Sequence, residues 1–421
     1  MAQAGAIEAS AGSGAAQRSV SAQSRRALDW LNFFKADAQT TVGPYLAIFL
    51  LAARHWNVAR IGMVMALPGL VAVLTQTPAG ALVDWLAQKR ALVAGAAVGL
   101  GAGCLLLIGC TSVAAVAMAQ GLIALATVVM PPAIAAISVG LVGPAAFARR
   151  MGRNEAYSHA GAVFAALLAG AIAYSFATVG LFYFAAAMSV AGAIAAWCIR
   201  PEEIDPALAR EAALGRGGRP EIVAIGGLLR DSRIAIFAAA VTLFHLANAA
   251  MLPLVGEMLS AGRPTLAAPY MSACIVIAQL VMAPVAVVAG RLADVWGRKP
   301  VFLLALAALA MRGVLFAITR KPYLVVPIQI LDGVGAGIFG VVAVIIVADL
   351  ARHTGRFNLL QGAMNTCVAV GAALSNLGAG VVANRYGYDR GFLLLSACAL
   401  GALGFFWLAM PETAERRPPP A

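Results

Sequence analysis

Charge is what this sequence has least of. Asp, Glu, Lys and Arg make up 11% of its 421 residues, against a hydrophobic share of 62%. Soluble domains carry about 25% charged residues, so a water-soluble fold is excluded, although the length alone would suit about two or three soluble domains. Cysteine is also scarce. Cys104, Cys110, Cys198, Cys274, Cys367 and Cys398 lie in or at the edge of apolar runs, and none forms a Cys-x-x-Cys pair. They read as small buried hydrophobes, not as metal ligands or disulfide partners. The chain has no Gly-x-x-x-x-Gly-Lys-[Ser/Thr] loop, no Gly-x-Ser-x-Gly elbow and no His-Glu-x-x-His pair. ATP-driven pumping, serine hydrolysis and zinc proteolysis therefore have no support; neither enzymatic activity nor a cofactor is expected. A signal peptide is not expected either. Residues 1–24 are rich in Ala, Ser, Gly and Gln, and Arg25 and Arg26 come only at their end, the wrong order for a basic n-region ahead of an apolar core.

What the chain does have is a series of long apolar runs, each able to cross about 30 Å of hydrocarbon. They are continuous and do not alternate apolar with polar residues, which favours helices over a barrel. The expected fold is all-α and integral to the membrane, with twelve transmembrane helices in two pseudo-symmetric six-helix bundles. The spans fall near 28–52, 58–83, 90–111, 113–141, 157–178, 179–199, 234–258, 266–290, 300–320, 322–349, 359–384 and 388–410. Residues 1–27 read as a disordered cytoplasmic tail, 28–199 as one bundle, 200–233 as a polar, Gly-containing linker, 234–410 as the second bundle and 411–421 as a short tail.

Orientation follows from Lys and Arg. With the N-terminus inside, inside segments hold 21 of the 30 basic residues and outside loops hold 7; only Lys35 and Arg312 lie within spans. This asymmetry predicts cytoplasmic termini. It also accounts for the net charge of +12 without nucleic acid, because the charge follows one side of the bilayer. Arg-rich, Lys-poor usage hints at a GC-rich bacterium and hence its inner membrane.

The most distinctive stretch is Gly290-Arg291-Leu292-Ala293-Asp294-Val295-Trp296-Gly297-Arg298-Lys299-Pro300. A weaker copy, Gly80-Ala81-Leu82-Val83-Asp84-Trp85-Leu86-Ala87-Gln88-Lys89-Arg90, lies 210 residues earlier, half the chain length. Both keep Gly, an Asp four residues on, and a terminal basic pair. The pattern, between the second and third spans of each half, resembles the signature loop of the major facilitator superfamily of secondary transporters. What the resemblance implies is a gating latch on the cytoplasmic side, formed by Gly80, Asp84, Lys89, Arg90, Gly290, Arg291, Asp294, Gly297, Arg298 and Lys299. Arg291, Arg298 and Lys299 would pair across the gap between the halves and break on opening. The alternative is plain positive-inside anchoring.

The halves repeat elsewhere. Lys35-Ala36-Asp37-Ala38 aligns with Leu246-Ala247-Asn248-Ala249 at an offset of 211, and Gln120-Gly121 with Asp332-Gly333 at 212. In the resembling family, spans 1, 4, 7 and 10 line the central cavity, and Asp37, Gln120, Asn248 and Asp332 fall on those four. Asp37 is eleven residues past Arg26 and Asp332 eleven past Lys321, which places each about 16 Å deep. Ionisable groups there are costly and mark proton or substrate sites, or pair with one another. Asp37, Asp332, Asn248, Gln120 and His245 are thus the candidates for proton coupling or substrate binding. His245 shares a helix face with Asn248. The structural alternative for Asp332 is an ion pair with Arg312. Lys35 and Asp37, two residues apart, point in different directions. Glu257, close to Arg263, reads as an interfacial charge. Phe33, Phe34, Tyr45, Phe244 and Phe339 lie on the same four spans. The expectation is a monomeric, proton-coupled transporter of a small organic molecule by alternating access, with efflux preferred. Uptake of a metabolite or siderophore-like compound by proton symport is the alternative, and a non-transporting sensor or scaffold a distant one.

Overall fold

The computed structural model describes residues 20–36, 42–86, 88–176, 178–205, 231–262, 264–319, 321–351 and 357–414. Every element among them is helical. The N-terminal half contains α1 (Ala22–Lys35), α2 (Val42–Ala52), α3 (Val58–Trp85), α4 (Lys89–Gly109), α5 (Val113–Phe176) and α6 (Val179–Trp197). The C-terminal half contains α7 (Ser232–Asn248), α8 (Met251–Gly262), α9 (Pro264–Val295), α10 (Arg298–Ile318), α11 (Pro322–Ile328), α12 (Ile330–Ala351), α13 (Phe357–Tyr386) and α14 (Tyr388–Ala409). Eleven helical stretches are long and apolar enough to cross a membrane, and the shorter apolar helix Gly43–Ala52 completes the first span with α1.

Local chemistry sets the ends. Ser21 caps α1 through its hydroxyl at 3.1 Å from the Ser24 N–H, so the helix begins at Ala22, six residues before the expected start of the first span. Asn57 caps α3 at 2.9 Å from the Arg60 N–H, and Asp231 caps α7 at 2.9 Å from the Arg233 N–H. Each satisfies a donor that the first turn leaves unpaired. Hydrogen bonding from the Arg233 side chain holds the Asp231 carboxyl below its ordinary range. Inside α5 the chain turns at Gly143, whose φ of 72° is open to glycine at little cost. The turn separates the spans Val113–Gly143 and Arg149–Ser175, so the fifth span starts eight residues before the expected 157.

Two spans of the C-terminal half are broken. The seventh divides into α7 and α8 around Ala249 and Ala250; the loose Ala250 N–H donates to Ser375 Oγ of α13 at 3.0 Å. The tenth divides into α11 and α12 at Gln329, just after Pro327, which has no N–H to give. Irregular backbone at membrane depth is tolerated only where the protein satisfies it or it lines a cavity.

The connections α3–α4, α9–α10 and the Gly143 turn define one end of the molecule. It holds Arg25, Arg26, Lys89, Arg90, Arg149, Arg150, Arg153, Arg298 and Lys299 and is the basic end. The other is the far end. The two halves share one apolar core only toward the far end, where Tyr45, Ile48, Val58, Ala166, Ala169 and Leu181 join the C-terminal cluster. At the basic end the N-terminal half closes on itself: Leu28, Leu31, Val93, Met130, Ile137 and Ile199 belong to a separate cluster without C-terminal members. The seam runs through Gly62 against Asn376 and Gly380, Gly69 against Ala369 and Ala373, and Gly170 against Ser272. Tyr45 Oη lies 2.5 Å from Ser272 Oγ, and His159 Nδ1 lies 2.9 Å from Gln279 Oε1. Among the described residues, the halves are therefore sealed at the far end and part toward the basic end.

Candidate functional site

The break in span 7 and the break in span 10 put their polar residues together. Arg312 of α10 is 1% exposed. It forms an ion pair with Asp332, donates to Asn248 Oδ1 at 2.8 Å and reaches Met251 Sδ at 3.1 Å. Asp332 stands in the first turn of α12, where the helix dipole favours negative charge. Its side chain is 21% exposed, against 2% for Arg312. The pair is lopsided: a sealed guanidinium holds a carboxylate that is open on one side. The structural alternative named from the sequence is thus realised, with Asn248 as a third member.

His245 lies one turn before Asn248 and is half-buried. Its Nδ1 lies 3.2 Å from the Val241 carbonyl, and its ring packs edge-on to Phe339 with centroids 4.8 Å apart. Phe339 also stacks on Phe244 at 4.6 Å. Asn248, Asp332 and His245 are therefore grouped in one half. Gln120 is not with them; it is 2% exposed, next to Ala119 of the N-terminal core. Asp37 lies outside the described residues.

The signature loop is built differently in its two copies. In the first, Lys89 is buried and its Nζ donates to the Val83 carbonyl at 2.5 Å, at the end of α3. Arg90 donates to the carbonyls of Trp197 at 3.0 Å and Ile199 at 2.6 Å, at the end of α6. Both cations serve helix C-termini, where dipole and unpaired carbonyls attract them. Gly80 and Asp84 lie in the last turns of α3. In the second copy, Arg298 binds Asp349 Oδ2 at 3.0 Å, Asp294 Oδ1 at 3.2 Å and the Ala293 carbonyl at 2.8 Å. In this conformation the carboxylate partners of Arg298 sit in its own half, as they must while the halves are apart at this end. Arg291 is exposed, and Gly290 packs toward Val341.

The C-terminal tail completes this second loop. Glu412 accepts from the backbone N–H of Arg298 at 2.8 Å and of Lys299 at 3.1 Å, so it caps α10 from 114 residues away. Gly297, at φ 99°, leaves room for it; an added Cβ would lie 2.4 Å from the Glu412 carboxylate. Replacing Glu412 by Ala should cost about 1 kcal/mol, as for loss of a helix cap, seen as a lower midpoint of thermal unfolding in detergent.

Two features were not anticipated. The first is a buried cluster at the basic end. Asp29 of α1 is 1% exposed and binds Arg150 at 2.5 Å and Arg153 at 2.5 Å. Arg150 also donates to Asn154 at 2.7 Å, and Asn154 to Ser138 at 3.0 Å. The available signal was an acid at the edge of the first apolar run. The second is Glu257, which is 2% exposed and not interfacial: α8 is packed between α2 of the other half and its own bundle. The Gln329 side-chain amide, also sealed, has no hydrogen-bond partner among the described residues.

Compared with known proteins, the chain matches the family model of the Major Facilitator Superfamily over residues 30–318 and 267–421. It is 45% identical over 391 residues, 93% of this chain and 94% of the relative, to uncharacterized MFS-type transporters from two strains of Mycobacterium tuberculosis. Solved structures with the same fold include the nucleoside transporter NupG, at TM-score 0.78 and 16% identity over 91% of this chain and 98% of that one. A bacterial homolog of the human lysosomal transporter Spinster, in an inward-facing and unoccupied conformation, matches at TM-score 0.73 and 12% identity, over 92% and 97% of the two chains.

Proposed function

Because the chain belongs to the Major Facilitator Superfamily, and so is a multi-pass membrane transporter, we propose that it exports a small organic molecule by proton-coupled alternating access. The membrane is the inner membrane of a bacterium, and the basic end faces the cytoplasm. Positive-inside placement of Lys and Arg supports that orientation. The seal at the far end and the separate N-terminal core at the basic end then describe a carrier open to the cytoplasm, ready to load from within. The exposed sides of Asn248, Asp332, His245 and Phe339 are read as the wall of the space between the halves. An amide, a carboxylate and aromatic faces suit a small ring-bearing or cationic molecule. Asp37 is proposed as the facing group from span 1, with Gln120 supporting that wall from within.

The observation that carries this reading is the lopsided Arg312–Asp332 pair. The Arg312 side chain is sealed, whereas that of Asp332 keeps some exposure. A proton or a cationic substrate arriving from the cavity competes with Arg312 for the carboxylate, and the loser must rearrange. Asp332→Asn keeps an oxygen that can accept from Arg312 but cannot bind a proton. It is expected to abolish gradient-driven transport in proteoliposomes while substrate exchange remains measurable. Normal gradient-driven transport by Asp332→Asn would reject the coupling role. Everted and right-side-out vesicles, given the same substrate panel, decide direction: accumulation only in everted vesicles is the expected result.

A further inference from the structure

We propose that Glu257 is the proton-binding site of the far-end gate: it holds a proton while the halves are closed over it and releases that proton to water when they part. The inference rests on the rocking of the two halves proposed above. It adds a residue outside the Asp332 centre.

Glu257 sits on α8, the outer part of the broken seventh span. The residue before it, Gly256, lies against Ile48 of α2, at 3.1 Å from an added Cβ, and against Met271 of α9. Leu254, one turn earlier, packs toward Gly391 of α14. The helix is thus part of the seal between halves, and the carboxyl is buried in it. Among the described residues Glu257 Oε2 has no hydrogen-bond partner, and neither has Ser260 Oγ, one turn on and 3% exposed. Ion pairs among the described residues engage other carboxylates.

Among the described residues, the cations against α8 are at its two ends: Arg312 touches Met251 at its start and is paired with Asp332, and Lys321 lines the cavity beside its last turn. Helix α2 brings Tyr45, whose hydroxyl is engaged with Ser272, and no charged side chain. Helix α9 brings Tyr270 and Cys274. Helix α14 brings Tyr388, within electrostatic range of Glu257, together with Asp389 and the exposed Arg390. A carboxylate taken out of water without a counter-charge is costly, and protonation removes that cost. The neutral acid also gains an O–H donor, for which the orphaned Ser260 Oγ is a nearby acceptor.

A route for the proton lies beside it. A cavity of about 500 Å³ at the far end is lined by Met258, Leu259 and Gly262 of α8, with Lys321, Tyr388 and Asp389. It reaches the same helix turn without passing through the space between the halves. Proton uptake from that side accompanies closure, and release to that side accompanies opening. The proton leaves Glu257 for water, so each cycle of the gate returns the carboxyl to its starting state.

The test is the conformational equilibrium of the purified full-length protein in nanodiscs. Spin labels are placed at the far end by Arg60→Cys and Tyr386→Cys, with the native cysteines changed to Ala. Closing with uptake of one proton shifts the closed-to-open ratio by up to about tenfold per pH unit, with the closed form gaining as pH falls. Glu257→Gln, permanently neutral, is expected to stay closed across the range. Glu257→Met, which fills the niche without hydrogen bonding, is expected to do the same. Two populations in the wild type that ignore pH would overturn the Glu257 assignment and leave the rocking motion intact. So would a full pH response in Glu257→Gln. A single population at every pH, in wild type and variants alike, would overturn the rocking itself and the assignment with it.

Discussion

Asp332→Leu is expected to destabilise the protein more than Arg312→Leu, although the two remove opposite ends of one ion pair. Removing a single partner of a buried pair costs about 3–5 kcal/mol when it strands the other charge. Asp332→Leu strands Arg312, whose side chain is 2% exposed and which cannot shed its proton inside a protein. Among the described residues, only Asn248 Oδ1 at 2.8 Å, its more distant backbone carbonyl at 3.4 Å and the Met251 sulfur remain, none of them charged. Arg312→Leu strands Asp332, whose side chain keeps 21% exposure and can hydrate or take up a proton; its cost is expected at about 1.5–3 kcal/mol, the range for a hydrogen bond to a charged group. The double variant, with Leu at both positions, should recover most of the stability, since apolar replacement of a buried pair is often neutral or better. It should transport nothing. Thermal unfolding of the four proteins in one detergent tests the order wild type, double variant, Arg312→Leu, Asp332→Leu. Equal losses in the two single variants would show that the pair is not lopsided as the exposures indicate. Loss of transport in a well-folded double variant would separate the function of the pair from its part in holding the bundle.

That pair also shows how much of the molecule was legible beforehand. The spans were, because crossing hydrocarbon demands long apolar runs and nothing else in this sequence resembles them. The repeat was, because a loop with Gly, Asp and a basic pair recurs at half the chain length. Asn248 and Asp332 emerged as candidates because repeat arithmetic put them, with Asp37 and Gln120, on the four spans that line the cavity in the resembling family; that the first two meet was not read from it. What local sequence could not reveal was which surfaces the other half would cover. Glu257 reads as an interfacial charge when only its own helix is considered; it is sealed in a helix packed between its own bundle and α2, more than two hundred residues earlier. Arg150 and Arg153 read as loop charges because the helix that carries them starts at the membrane edge, where side of the bilayer and buried partner predict the same residue type. Their partner Asp29 was one acid among apolar neighbours. The loop copies make the same point. Lys89 corresponds to Lys299 and Gln88 to Arg298, yet the first copy turns its cation to helix carbonyls and the second turns Arg298 to two carboxylates, and the choice is made by what lies opposite in space.

The seam between the halves carries the other large expectation. Gly62 and Gly69 are seven residues apart on α3; Ala373 and Gly380 are seven apart on α13. Seven residues are close to two helical turns, so each pair forms one stripe, and the two stripes meet. At Gly62 an added Cβ would lie 2.5 Å from the Asn376 carbonyl oxygen and 3.0 Å from the Gly380 Cα. Both are backbone, which cannot rotate aside as a side-chain tip can. Gly62→Val therefore has to push the halves apart at the far end. Overpacking of this kind costs about 1–3 kcal/mol, and here the whole cost falls on the closed state, because the stripes separate when the far end opens. The closed-to-open ratio should drop by about 5- to 150-fold, the factor that corresponds to such an energy. Transport needs both states, so its rate should fall by on the order of tenfold or more, while folded yield stays close to wild type. Gly378→Ala is the control, on α13 two residues from Gly380, with nothing within 4 Å of an added Cβ; it should transport normally. The Arg60→Cys and Tyr386→Cys labels report the same change directly, as a longer far-end distance in Gly62→Val. A Gly62→Val protein that transports at the wild-type rate with an unchanged distance would mean that the glycine seam is not a moving contact, and that the halves exchange access by some path that leaves α3 and α13 together.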